Sequence, residues 1–390
     1  MIVDTMSSFG LTGVDMPPAS VRDAKRFKRG ACKKSREPRR TRRHNLTAVD
    51  LYSGCGGVTA GLKKRGYSVV AAVDNDPMAC ATYRANHPEV NLYDKDIRSI
   101  DPEEILRNDL AGRQLDLLVV CAPCQPFSSL NRKSKEDPRA QLILQASRFV
   151  GTLKPSVVFF ENVPGLASRD ASPILGNLRK ELSAVGYLLG DPVRVDAADY
   201  GVPQRRVRCI MFAVPQETPL PTLPQPTTPE GRRNTVRKAI GKLRSLRSGE
   251  RDRRDSLHFA RTHHPVALAR LSFIPKNGGN RFSLPAELEL VCHRGRRGHP
   301  DVYGRMMWDN VAPTLTTGCT DVTKGRFAHP RDNRAISLRE AALLQTFPKR
   351  YKFVGFPRNI AKQIGNAVPV RFVATLASVL REVMKPTSKS

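Results

Sequence analysis

The chain has no apolar run of membrane-spanning length: nothing in its 390 residues approaches the ~20 consecutive apolar positions that a span needs. Its opening stretch, MIVDTMSSFGLTGVDMPPAS, lacks the basic flank and apolar centre of a secretory signal. Cysteine is sparse and scattered, at positions 32, 55, 80, 121, 124, 209, 292 and 319, which excludes a disulfide framework and suits reduced thiols. Acids are in deficit, 36 Asp and Glu against 65 Lys and Arg, for a formal net charge of +29. Such an excess favours a polyanionic partner, because each phosphate neutralised releases counterions; a generically basic protein is the plainer reading. With 40 % apolar residues the chain still holds enough material for a sizeable core. A cytoplasmic location with no membrane partner is expected.

Composition divides the chain. Residues 1–45 read as a basic, disordered tail, with 12 Lys or Arg between Arg22 and Arg43 and almost no apolar periodicity. From 46 to 215, short apolar runs (LTAVDLY, SVVAAVD, LDLLVV, SVVFFEN, VRCIMFAV) alternate with helical spans. Apolar runs spaced by helices predict a doubly wound α/β domain with a mostly parallel sheet. The Pro/Thr-rich VPQETPLPTLPQPTTPEG marks a linker into a smaller, irregular, basic domain over 216–330. Residues 331–390 return through the helical SLREAALLQTFP and close on an amphipathic helix over AKQIGNAVPVRFVATLASVLREVM.

The candidate chemistry sits at the ends of the apolar runs. DLYSGCGG places Gly54, Gly56 and Gly57 in a strand-to-helix turn, where backbone N–H groups and the missing side chains admit a ligand. A G-x-G-x-x-G dinucleotide turn would need glycine at Thr59, so the spacing is wrong for that class. Asp74 follows the second run and Asp96 the third, and strand-end acids beside a glycine turn point to an adenosine-containing cofactor. The fourth run ends in CAPCQPFSS. Cys121 and Cys124 have redox spacing, but a zinc site would need further ligands and no second C-x-x-C exists. A single nucleophilic thiolate at Cys124, with Cys121 as a buried neighbour, is the third reading. Glu161 ends the next run, and Gln204, Arg206 and Arg208 enter the last; two apart, the arginines share a strand face. A thiol, a carboxyl and two guanidiniums then meet at one sheet edge. Each also has a structural explanation taken singly, as a cap or a surface ion pair. His263, His264, Cys292 and His293 have no closed metal spacing, and the single tryptophan, Trp308, reads as core.

In order, DLYSGCGG, VDND, KDI, APCQPFS, ENV, QRRVR, SLREAALLQTFP and QIGNAVP closely resemble the bacterial DNA cytosine-5 methyltransferases. The resemblance implies the fold of S-adenosylmethionine-dependent methyltransferases, with Cys124 attacking C6 of a cytosine, Glu161 serving N3, and Arg208, aided by Arg206, holding the base carbonyl. It assigns Tyr52, Gly54, Gly56, Gly57, Asp74, Asn75, Asp96, Ile97, Pro123 and Asn366 to S-adenosyl-L-methionine, with Tyr52 standing where phenylalanine is commoner. It makes 216–330 the target recognition domain, carries Ser128, Gln204, Thr314 and Leu315 over as DNA contacts, and makes SSLNRKSKEDPRAQ a candidate closing loop. The implied partners are double-stranded DNA and a cognate restriction endonuclease, and the implied state is a monomer. An RNA cytosine-5 methyltransferase and a non-catalytic DNA-binding regulator remain as alternatives.

Overall fold

The structure is a computed structural model that describes residues 45–123, 138–168, 172–295, 298 and 300–383. The basic tail, Cys124, Ser128 and most of the loop that follows them lie outside the described residues. Eight strands form one sheet: β1 (Leu46–Leu51), β2 (Tyr67–Val73), β3 (Asn91–Tyr93), β4 (Leu117–Val120), β5 (Val157–Asn162), β6 (Tyr187–Leu189), β7 (Val193–Asp196) and β8 (Val207–Pro215). Their order is β3-β2-β1-β4-β5-β8-β6, with β7 also paired to β8. The pairs from β3 through β5 are parallel, while β8 runs antiparallel to β5, β6 and β7. The reversal has a simple cause. Only residues 197–206 separate β7 from β8, fewer than the dozen or more that a crossover between parallel strands requires.

The strands are apolar on both sides because both sides are covered. Leu118 and Val120 of β4 pack with Phe149, Phe160 and Leu178 on one face; Leu117 and Val119 pack with Tyr83, Phe159 and Phe372 on the other. This is the doubly wound arrangement expected, with the strand order reversing between the parallel neighbours β1 and β4. In such sheets the ligand crevice lies outside the carboxyl ends of the strands at that point.

Beyond β8 the chain is mostly turns and short helices, such as Val236–Ile240 and Pro265–Phe273. Two arginines partly replace regular structure there. Arg334, fully buried, bonds both oxygens of Glu340 at 2.7 and 2.9 Å. Arg305, also fully buried, donates to the carbonyls of Ile274, His329 and Leu271 at 3.2, 2.9 and 2.6 Å. Part of the basic excess therefore supports the fold rather than meeting phosphate. The His263 ring accepts the Ala335 N–H through Nε2 at 3.0 Å. Trp308 stands edge-on to His329 at 5.2 Å.

The return segment begins with a capping box, Ser337 and Glu340, on helix Leu338–Leu344. The single closing amphipathic helix expected from the pattern is two helices, Pro357–Asn366 and Val370–Val383. Pro369 separates them: it has no N–H to donate, and it disfavours helical backbone at Val368 before it. Among the described residues no helix is long and apolar enough to cross a membrane.

Candidate active site

At the end of β1 the backbone turns sharply, with positive φ at Tyr52 (60°), Gly54 (54°) and Gly56 (87°). A Cβ at Gly56 would lie 2.7 Å from the His87 ring and from the Tyr351 hydroxyl. Glycine there allows the turn to sit on those rings. Asp74, after β2, holds the turn from the side: Gly54 N–H donates to its Oδ2 at 2.8 Å and Asp76 N–H to its Oδ1 at 2.9 Å. Burial raises the Asp74 pKa in spite of both bonds. Thr59, the residue that breaks the dinucleotide spacing, has its own partner beneath the turn. Its hydroxyl donates to the buried Asp50 Oδ2 at 2.7 Å, a bond that glycine could not make.

The turn opens onto a cavity of about 210 Å³ at the carboxyl edge of the sheet. Tyr52, Gly54, Gly57, Asp74, Asn75, Asp96, Ile97, Pro123 and Asn366 all line it. Gly56 does not line it; its place is underneath, against His87. Asp96 is gripped by Arg98 through two bonds, 2.9 and 2.7 Å, which hold its carboxyl at about 2. The Tyr52 hydroxyl donates to Leu142 O at 2.5 Å, so the phenol does something phenylalanine could not: it joins the turn to the segment that follows the cysteine loop.

Glu161, Arg206 and Arg208 line the same cavity. Strand register explains the central pair. Glu161 stands opposite Ile210, so Arg208 is its diagonal neighbour on that face, and Arg208 Nε meets Glu161 Oε1 at 2.7 Å with both side chains about one-tenth exposed. At such depth a charge is tolerated only when paired. Asn162, one residue on, donates from Nδ2 to Ala122 O at 3.2 Å. That bond holds the backbone just ahead of Pro123.

Other expectations are revised. Cys121 is half-buried and lines the cavity, rather than being sealed behind it. Arg206 lies just ahead of β8 and lines the same cavity as Arg208, but its guanidinium grips backbone: Nη1 donates to Leu315 O and Nη2 to Gly365 O, each at 3.1 Å. Gln204 is fully buried, accepting Leu315 N–H at 3.0 Å and donating to Gln345 Oε1 at 3.1 Å. Leu315 is 1 % exposed. In this arrangement neither Gln204 nor the Leu315 side chain presents a surface to DNA; of the three described residues expected there, Thr314 is the exposed one. Lining residues that sequence reasoning missed include Lys362, paired with Asp76 at 2.7 Å, and Gln363. Lys362 stands four residues before Asn366, one helical turn, and Gln363 opens the QIGNAVP stretch; those were the available signals. Elsewhere the buried thiols Cys55 and Cys319 are pushed up to about 12 by burial, which leaves them protonated and inert. Among the described residues no group of three His, Cys, Asp or Glu side chains could hold a metal ion.

Fold and cavity together define a doubly wound α/β protein of the methyltransferase type, with an acid–arginine pair at the carboxyl edge of its sheet. Comparison with known proteins narrows this. The family model described as C-5 cytosine-specific DNA methylase matches residues 46–382. The Type II methylase M.HgiDII of Herpetosiphon aurantiacus is 39 % identical over 345 residues, covering 86 % of this chain and 95 % of that protein. The Type II methyltransferase M1.HphI of Haemophilus parahaemolyticus is 31 % identical over 342 residues, covering 86 % and 87 %. Among solved structures, one described as a DNA modification methyltransferase encoded within an E. coli prophage superposes with a TM-score of 0.66 at 23 % identity, over 87 % of this chain and 99 % of that one. The chain belongs to the C-5 cytosine-specific DNA methylases and is a DNA cytosine-5 methyltransferase.

Proposed function

We propose that the protein methylates C5 of a cytosine within a specific short duplex DNA sequence, taking the methyl group from S-adenosyl-L-methionine through a covalent adduct to Cys124. The observation that carries this reading is the buried Glu161–Arg208 pair in one cavity with the glycine turn, Asp74 and Asn366. The residues suit an adenosylated sulfonium. A Cβ at Gly54 would meet only open space, which leaves the backbone accessible to a ligand, and the acids Asp74 and Asp96 offer acceptors for hydroxyl and amino groups. S-Adenosyl-L-methionine, when bound, supplies an electrophilic methyl group.

The reacting carbons of cytosine are stacked inside a duplex, so the base is flipped into the cavity at a cost of a few kcal/mol. Cys124 thiolate adds to C6. Glu161 donates a proton to N3, which receives the electron density, and C5 becomes nucleophilic. Arg208, fixed by Glu161, presents N–H donors to the base carbonyl and balances charge in a site with little water. After transfer, a solvent water takes the C5 proton, the C6–S bond breaks so that Cys124 leaves as thiolate, and N3 returns its proton to Glu161, which restores the aromatic ring.

The 216–330 region then serves target recognition, Ser128 and Thr314 contact DNA, and the basic tail adds phosphate contacts. A monomer acting in the cytoplasm beside a cognate endonuclease completes the reading; the relatives' Type II names support that last element. The test is incubation with unmethylated genomic DNA and S-adenosyl-L-methionine, then base-resolution sequencing of 5-methylcytosine. Methylation confined to one short motif, and lost in Cys124→Ala, is expected. No 5-methylcytosine above the Cys124→Ala control would refute the reading and turn the search to RNA.

A further inference from the structure

Three segments distant in sequence meet behind the active cavity: the entry to β8 (203–206), the strip 312–317, and the end of helix Pro357–Asn366. Backbone bonds lace the first two together, Arg205 N to Ala312 O at 2.8 Å and Ala312 N to Pro203 O at 2.9 Å. The Thr314 hydroxyl adds a bond to Arg205 O at 2.7 Å. Gln204 then reads the strip from inside through the Leu315 N–H and passes the contact to Gln345. Gln345 in turn donates to Ile364 O at 2.6 Å and Ala367 O at 3.2 Å, the carbonyls flanking Asn366. Gly365 approaches so closely that a Cβ there would overlap the Thr316 carbonyl. Arg206 closes the triangle by binding Leu315 O and Gly365 O with one guanidinium.

Arg206 and Asn366 line the cavity, whereas residues 312–317 do not. The strip lines a second, larger cavity, through Thr316 and Thr317, together with Arg251, Arg261 and Lys324. Helix Pro357–Asn366 is common to both: Lys362, Gln363 and Asn366 face the first cavity, and Arg358 and Ala361 face the second.

We infer that Arg206, with Gln204 and Gln345, is a positioning joint that couples occupancy of the cofactor cavity to the Thr314–Thr317 strip and so to the basic cavity beyond it. Arg206 is not a base-contacting group. The inference rests on the cofactor reading given above. The physical requirement is a connection that transmits order without slack. A planar guanidinium bridging two carbonyls does so, because its donors have fixed geometry that a lysine ammonium cannot reproduce. Ordering Asn366 around a ligand restricts Gly365 and Ala367, and the joint passes that restriction to Leu315. By linkage, a ligand in the basic cavity that orders the strip tightens cofactor binding by the same factor.

Hydrogen exchange of the full chain with and without S-adenosylhomocysteine tests this, because the Leu315 amide is itself part of the joint. In the wild type, the ligand is expected to slow exchange in two places: the turn at 52–57, which lines the cavity, and the strip at 312–317, which does not. About fivefold slowing at the strip is the expected scale for coupling of this kind. In Arg206→Lys the turn keeps its protection and the strip loses it. Protection of the turn without the strip in the wild type overturns the joint while leaving the cofactor site intact. So does protection of both in Arg206→Lys. Failure of the ligand to bind the wild type overturns the cofactor reading and the joint together.

Discussion

Removing the charge of Asp50 is expected to stabilise the protein at neutral and alkaline pH and to do little in acid. Asp50 is the penultimate residue of β1, ahead of the glycine turn, and is wholly buried. Its Oδ2 receives the Thr59 hydroxyl, while its Oδ1 has no hydrogen-bond partner among the described residues. Burial pushes its carboxyl up to about 7 from 3.8, the Thr59 bond opposing and the Asp74 charge adding to the rise. The fold thus prefers the protonated acid. That preference contributes in full below the unfolded value, near pH 4, and is lost as pH rises through about 7. At 1.36 kcal/mol per pKa unit, the whole displacement corresponds to about 4 kcal/mol. Asp50→Asn keeps the carbonyl that accepts from Thr59 and cannot ionise. Denaturant unfolding of wild type and variant at pH 4, 6 and 8 should show curves that nearly coincide at pH 4. At pH 8 the variant should lead by roughly 2–4 kcal/mol, with equal m-values showing that the unfolded ensembles match. An offset that is the same at all three pH values, or a lead that shrinks toward pH 8, would refute the reasoning.

Two further outcomes follow from the cavity. Glu161→Gln keeps an acceptor for Arg208 but cannot give a proton to N3, so methyl transfer should fall about 10²–10⁴-fold, with S-adenosylhomocysteine affinity within a few-fold by calorimetry; turnover near wild type would remove Glu161 from the chemistry. Asn162→Ala deletes the bond to Ala122 O, which loosens the backbone ahead of Pro123 by the ~1 kcal/mol of one hydrogen bond and should lower the single-turnover methylation rate about fivefold; an unchanged rate with lowered stability would make Asn162 purely structural.

Much of this was legible in the residue order. Apolar runs without polar alternation, each followed by a helical span, can be buried on both faces only in a doubly wound sheet, and that sheet is present. Strand ends were legible too, since VDND, ENV and APCQ each finish an apolar run, and the carboxyl edge of a parallel sheet gathers such ends into one place. Lys362 was harder: it carries no motif of its own, and only its helical distance from Asn366 placed it on the cavity, while Gln363 opens QIGNAVP but was passed over in favour of Asn366. The break between the last two helices was marked by Pro369, though the continuous apolar stripe hid it.

Residue type and order, by themselves, determined which side chains would stand at the sheet edge, because strand periodicity and burial are local consequences of composition. Partner choice was decided only in three dimensions. Arg206 and Arg208 are indistinguishable in QRRVR, yet antiparallel register hands Arg208 to Glu161, while Arg206 is taken by carbonyls at 315 and 365. Those acceptors lie 109 and 159 residues away. No local pattern encodes such a pairing, since a backbone carbonyl is the same on every residue and only packing selects which one a buried guanidinium meets.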